Sequence, residues 1–368
     1  MSVNAATLSA GDALEVLSAA WDAQVTGGLT TSWMLHGRPG VGKTQLVQTL
    51  AQQRDAELYD IRLTTIEPQD LRGLPYYDHE TKKTLWYRPE DLPDAPDRPA
   101  VLFLDELTAA SPYLQPTVYG LLQERRVGRH RLPDSVFIVA AGNTVEDGAI
   151  AYEMGTALSD RLVHLHVKAS AKDWLERYAV DQRLHPAVTA FLRARPDLLD
   201  TTEDTLRRGD MIACTPRSWE RVSQIMHAIP DRRMRDAMVA GTIGIAPAAD
   251  FARVADELDS MVTVADLLQT PRSKRPELYP TSMNGLVGLI YGLVAQTDAE
   301  TIKGTIEVMA DIRSLKSDAV SALPLAELTS FGFELLIRKA LANGLEDGFR
   351  GSDAYAQYAA ERAKAEAG

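Results

Sequence analysis

The sequence predicts an α/β protein: a parallel sheet with flanking helices, followed by an all-helical region. Three observations carry that expectation. Short continuous apolar runs recur between residues 32 and 167, as strands buried on both faces require. A glycine-rich loop, LHGRPGVGKTQL at 35–46, joins one such run to a segment with helical spacing. Beyond about residue 170 the strand-like runs stop, and helical periodicity alone continues to the C-terminus.

Taken in order, GDALEVLSAAWDAQVTGG reads as an amphipathic helix ended by Gly27 and Gly28. TSWMLHG is a short apolar strand, and KTQLVQTLAQQ sets Leu46, Val47 and Leu50 at helical intervals, so the loop lies between strand and helix. Gly37, Gly40, Gly42, Lys43 and Thr44 fit the spacing G-x-x-x-x-G-K-[ST], in which bare backbone amides and a helix N-terminus surround an anion. The alternative is an ordinary glycine-rich turn, but an eight-position pattern ending in Lys-Thr seldom arises by chance in this context. On the phosphate reading, Gly37, Arg38, Pro39, Gly40, Val41, Gly42, Lys43, Thr44 and Gln45 hold a nucleotide such as ATP. Lys43 reaches its β- and γ-phosphates, and the Thr44 hydroxyl binds Mg²⁺.

A second strand is expected at LYDIRL (58–63), and residues 64–93, rich in turn formers and aromatics, read as an insertion between core elements. AVLFLDEL (100–107) is a fully buried strand ending in two acids, which places Asp105 at the carboxyl end where open α/β sheets bind ligands. Beside a phosphate loop, Asp105 holds the Mg²⁺, mostly through water, and Glu106 polarises the attacking water. SVFIVAAGN (135–143) is a fourth strand whose terminal Asn143 either bonds the attacking water or γ-phosphate, or simply starts the following turn. Between these strands lies a helix and then a short ribbon with Arg125, Arg126, Arg129, His130 and Arg131, for which a solvated surface is the favoured reading. TALSDRLVHLHV (156–167) leads into a fifth strand behind Arg161. His164 and His166 share one face of it, but with no third ligand in view they read as packed or satisfied histidines.

Composition narrows the function classes. The chain has 368 residues, 45% hydrophobic and 24% charged, enough for two domains with real cores. There is no run of about 18 apolar residues for a membrane span and no basic-then-apolar start for secretion, so a cytoplasmic protein is expected. The one cysteine, Cys214, has no histidine beside it in MIACTPRSW and reads as a buried hydrophobe. A net charge of −12 disfavours a nucleic-acid surface, which needs a basic face.

With these motifs in order, the chain resembles the AAA+ ATPases, and among them the MoxR-like group, over roughly residues 15 to 230. GRPGVGKT and LFLDEL look like that group's Walker A and Walker B motifs, TTIEPQDLRGLP like its insertion after the second strand, and VGRHRLPDSVFIVAAGN like its hairpin and sensor strand. The resemblance implies an AAA+ core at 1–170 with the insertion at 64–93 and a hairpin at 126–134, a helical lid at 171–245, and a helical extension at 246–368. It makes Asn143 the first sensor, Arg161 an arginine finger reaching the nucleotide of the adjacent subunit, and Arg217, in TPRSW, a second sensor on the lid. It also implies a homo-oligomeric ring, most naturally a hexamer, that remodels a protein client, often with a von Willebrand factor A domain partner. No D-x-S-x-S motif is present here, so that domain belongs to another chain. A nucleic-acid motor and a slow nucleotide-dependent switch are the competing readings. The sequence departs from the group where AAGNTVED replaces asparagine-proline after the sensor strand.

Overall fold

The computed structural model describes residues 3–143 and 156–366. The chain divides into two compact units, residues 1–170 and 171–368.

The first unit is built on a six-stranded, all-parallel sheet. Its elements run β1 (Thr7–Leu8), α1 (Ala10–Gly27), β2 (Ser32–His36), α2 (Lys43–Gln53), β3 (Glu57–Arg62), α3 (Pro68–Arg72), β4 (Pro75–Asp78), β5 (Lys83–Trp86), β6 (Ala100–Asp105), α4 (Gln115–Glu124), β7 (Arg126–Val127), β8 (His130–Arg131), β9 (Val136–Gly142), α5 (Thr156–Ser159) and β10 (Leu162–Val167). The main sheet has the order β1-β10-β2-β9-β6-β3, while β4–β5 and β7–β8 are separate hairpins. The five expected strands are present. A sixth, β1, was not visible in the sequence because it is two residues long and owes its existence to pairing with His166 and Val167 of β10.

The apolar runs are continuous because both sheet faces are covered, and the strand period of two sends alternate residues to opposite layers. Leu102 and Leu104 of β6 and Ile138 and Ala140 of β9 pack in one core with Val118 and Leu121 of α4. Val101, Phe103, Phe137 and Val139 enter the other core with Leu17 and Trp21 of α1 and Val47 and Leu50 of α2. The helix α1 is fixed at both ends, by Ser9 accepting from the Asp12 amide and by Gly28 in the left-handed conformation.

The insertion is more ordered than its turn-rich sequence suggested. It folds as α3 followed by the β4–β5 hairpin, with Tyr76 stacked on Tyr87 at 4.3 Å and the Arg72 guanidinium 4.2 Å above Trp86. Tyr77 and Tyr87 remain largely exposed.

Among the described residues the second unit has helices as its only regular elements, as expected. Its main members are Pro186–Ala194, Pro216–Ala228, Arg232–Ile243, Ile245–Asp259, Met283–Gln296, Ile302–Arg313, Leu325–Asn343 and Asp353–Glu366. Met283–Gln296 is buried on every side from Gly285 to Ala295, which explains why LVGLIYGLV is apolar all round: it is the axis of a core. Among the described residues no helix is long and apolar enough to cross a membrane. Cys214 is fully buried, and burial pushes its thiol up to about 11, so it behaves as a small hydrophobe.

Candidate nucleotide site

The loop at 37–42 leaves β2 at its carboxyl end and enters α2 at Lys43. Since β9 and then β6 lie beside β2, the ends of three parallel strands meet at one edge: Gly37 after β2, Asn143 after β9, and Asp105 closing β6. This is the place where open parallel sheets receive ligands. Gly37 could not be another residue without rearrangement, because a Cβ there would sit 2.4 Å from the Val167 carbonyl oxygen. Gly42 has φ 101°, the left-handed region, and caps α2.

Lys43 is only 8% exposed. Its ammonium donates to the Gly37 carbonyl at 2.5 Å, the Arg38 carbonyl at 3.1 Å and Asn143 Oδ1 at 2.9 Å. Asn143 therefore adjoins the loop lysine directly, from a strand next to β2 as well as to β6. Its own carbonyl accepts from the Thr108 hydroxyl at 2.8 Å, which ties the end of β9 to the segment after β6. Thr44 Oγ1 lies 3.5 Å from Asp105 Oδ2. Those two oxygen donors suit Mg²⁺, which binds through few protein oxygens and keeps waters and phosphate oxygens for the rest. Among the described residues no three His, Cys, Asp or Glu side chains gather as a metal site.

Glu106 leaves the strand and turns into the left-handed region, with φ 59°. Its carboxylate accepts a short hydrogen bond from the Thr64 hydroxyl and faces the Arg62 guanidinium at 3.9 Å, both from the end of β3. Burial and then the neighbouring Asp105 raise the pKa of Asp60, also on β3. Thr64, Arg62 and Thr108 were not singled out in the sequence. No spacing rule marks them, since they reach the site through strand adjacency.

Two further residues were expected, Arg161 and Arg217. Arg161 is exposed on the turn before β10, and Leu162 pairs with Ser32, the first residue of β2. In its own chain Arg161 thus stands at the amino end of the strands, opposite the loop. Arg217 is exposed in the first turn of Pro216–Ala228, a helix of the second unit capped by Thr215. Residues 144–155, including the turn after Asn143, lie outside the described residues.

Two expectations concerned histidines and arginines. His164 is satisfied, with Nδ1 2.8 Å from His36 Nε2 and Nε2 2.8 Å from the Ser159 carbonyl. The basic ribbon is not a solvated run throughout, and this corrects the sequence reading: Arg125 is 7% exposed and donates from Nη2 to the Pro133 and Val136 carbonyls. Burial lowers its pKa. Arg126 pairs with Glu124 and Arg131 with Asp134.

The family model described as "ATPase family associated with various cellular activities (AAA)" matches residues 32–164. Over those residues the chain is similar to an AAA ATPase domain. The match runs from the start of β2 into the first half of β10 and so contains the loop, both acids, Asn143 and Arg161. Among curated proteins, ATPase family gene 2 protein homolog B of Mus musculus is 35% identical over 115 residues, 31% of this chain and 13% of that one. The uncharacterized protein YeaC of Bacillus subtilis (strain 168) is 29% identical over 164 residues, 42% of this chain and 49% of its own length. The chain thus spans half or less of these relatives. Among solved structures, the Thermotoga maritima RuvB Holliday junction branch migration motor overlaps 71% of this chain and 74% of its own, with 16% identity and a TM-score of 0.38. At that level nothing of the motor's activity carries over. What the AAA domain itself implies is nucleotide binding by an ATPase-type enzyme.

Proposed function

We propose that the chain hydrolyses Mg-ATP in a MoxR-like AAA+ ring, most naturally a hexamer, and couples hydrolysis to remodelling of a protein client, with a von Willebrand factor A domain protein as partner. The observation that carries the reading is the convergence of Lys43, Asn143, Thr44 and Asp105 at the carboxyl edge of the parallel sheet. Lys43 leaves its carbonyl partners for the β- and γ-phosphates, and the amides of Gly40 to Thr44 face the phosphate chain. Thr44 and Asp105 would hold Mg²⁺, which supplies charge neutralisation of the phosphates. Glu106, held by Thr64 at one carboxylate oxygen, accepts a proton from the attacking water at the other, and Asn143, released by Lys43, orients that water. The position of Arg161 at the far end of its own sheet suits a residue that serves a neighbouring subunit, where it stabilises charge developing on the phosphoryl group. Arg217 fills the second-sensor role on the lid.

Pairing and burial within the basic ribbon favour this reading over a nucleic-acid motor, since Arg125, Arg126 and Arg131 are already engaged. The exposed Tyr77 and Tyr87 of the insertion are the proposed partner contact. The test is a pair of variants measured by calorimetric ATP titration and phosphate release. Lys43→Ala should lose ATP binding, and Glu106→Gln should bind ATP and release no phosphate. Unchanged affinity in the first or normal turnover in the second overturns the assignment.

A further inference from the structure

We infer that His36 and His164 form a hydrogen-bond relay through which the phosphate loop sets how Arg161 is presented to the neighbouring subunit. The inference rests on the reading of Arg161 as a finger acting in trans. It begins with a juxtaposition in the sheet. His36 is the last residue of β2 and is joined directly to Gly37, whose carbonyl holds Lys43. His164 lies on the next strand, β10, three residues after Arg161. The two rings are 5.1 Å apart with planes within 18°, and His36 is 8% exposed.

The direction of the relay follows from its far end. His164 Nε2 lies 2.8 Å from the Ser159 carbonyl oxygen, which can only accept, so that nitrogen carries the proton. In a neutral imidazole the Nδ1 atom is then the acceptor, and His36 Nε2, 2.8 Å away, is its donor. The Ser159 hydroxyl adds a second contact to the same nitrogen at 3.2 Å. The chain runs His36 to His164 to Ser159, and Ser159 stands two residues before Arg161 in the turn where the Arg161 amide donates to the Leu158 carbonyl. Each link is short, buried or half-buried, and polar, so displacement of one member leaves a donor or acceptor unpaired and draws the next along.

The input is the Gly37 carbonyl. A γ-phosphate competes with it for the Lys43 ammonium, and loss of that bond frees the junction of residues 36 and 37 to shift. Because the space beside Gly37 is closed by Val167 of β10, the shift meets the same strand a second time. His36 and His164 are therefore positioning residues: they act through Gly37 and Ser159, and they connect the occupied loop of one subunit to the site of the next.

The experiment compares His164→Ala, His36→Gln and Arg161→Ala as full-length chains. With His164→Ala, ATP affinity should stay within about twofold while turnover falls about tenfold, the loss corresponding to one net hydrogen bond. His36→Gln, which keeps an amide donor near the Nε2 position, should retain most of the turnover. Mixing His164→Ala with Glu106→Gln should restore activity above that of either alone, because the Glu106→Gln subunits bring an intact relay and Arg161 to sites that still hydrolyse. Unchanged turnover in His164→Ala, or a loss that mixing does not restore, overturns the relay. Arg161→Ala separates the two failures. If it is complemented by Glu106→Gln while His164→Ala is normal, the relay alone falls; if it turns over normally, the trans finger falls and the relay with it.

Discussion

At the scale of single residues, Lys43 and Arg125 show two uses of a buried cation. Lys43, buried at the site, donates to two carbonyls and an amide oxygen. Arg125 has the opposite role with similar means. Buried, it donates to the Pro133 and Val136 carbonyls at the entry to β9, and Gln24 of α1 also donates to the Val136 carbonyl at 3.1 Å. Arg125→Ala should therefore cost about 2 kcal/mol of stability, whereas Arg126→Ala and Arg129→Ala, both exposed, should stay within about 0.5 kcal/mol. Urea unfolding of the three variants checks this, and equal small effects would return Arg125 to the solvated class. Nothing in the run of basic residues distinguished Arg125 beforehand, since its carbonyl partners belong to Pro133 and Val136, outside the run.

At the scale of elements, helix ends repay attention. Pro186–Ala194 begins with His185, whose Nδ1 accepts from the Ala187 amide at 3.2 Å, so the cap requires a neutral ring. Burial first, then His227 and Arg235, lower its pKa from 6.5 to about 4, with Asp259 opposing. The folded value is depressed, so the stabilisation is complete above pH 6.5 and is lost as pH falls from 6.5 through about 4. At pH 5 the loss should reach about 2 kcal/mol. Thermal unfolding followed from pH 7 to 4.5 should show that slope, and His185→Asn, which keeps an acceptor at the cap, should flatten it; parallel profiles would remove His185 from the account. Elements of this kind also mark what the sequence could tell. The loop, the buried strands and the acids at the end of β6 were legible because continuous apolar runs and the glycine-lysine spacing are local signals. The strand β1, the tether of Glu106 to Thr64 and the histidine pair were not, since each depends on which strands lie side by side, and sheet order has no local signature.

At the scale of the whole molecule, the proposed ring is tested by mass. Light scattering of Glu106→Gln after gel filtration should give about six subunits with Mg-ATP, and a monomer under both conditions would count against shared sites. Mixtures of Arg161→Ala with Glu106→Gln, each inactive alone, should regain activity if neighbours share catalytic groups, and no recovery would count against sharing. The helical unit raises a separate matter through Met283–Gln296. Glycines at 285 and 288 let neighbouring chain segments lie against its backbone: a Cβ at Gly285 would meet Met261 at 2.4 Å, and one at Gly288 would meet Leu258 at 2.4 Å. In a saturation library of the whole gene scored only for abundance, this stretch should be among the emptiest, with even alanine depleted at both glycines, while the tyrosines of the insertion tolerate nearly anything. The contrast separates what the chain needs in order to exist from what it needs in order to act.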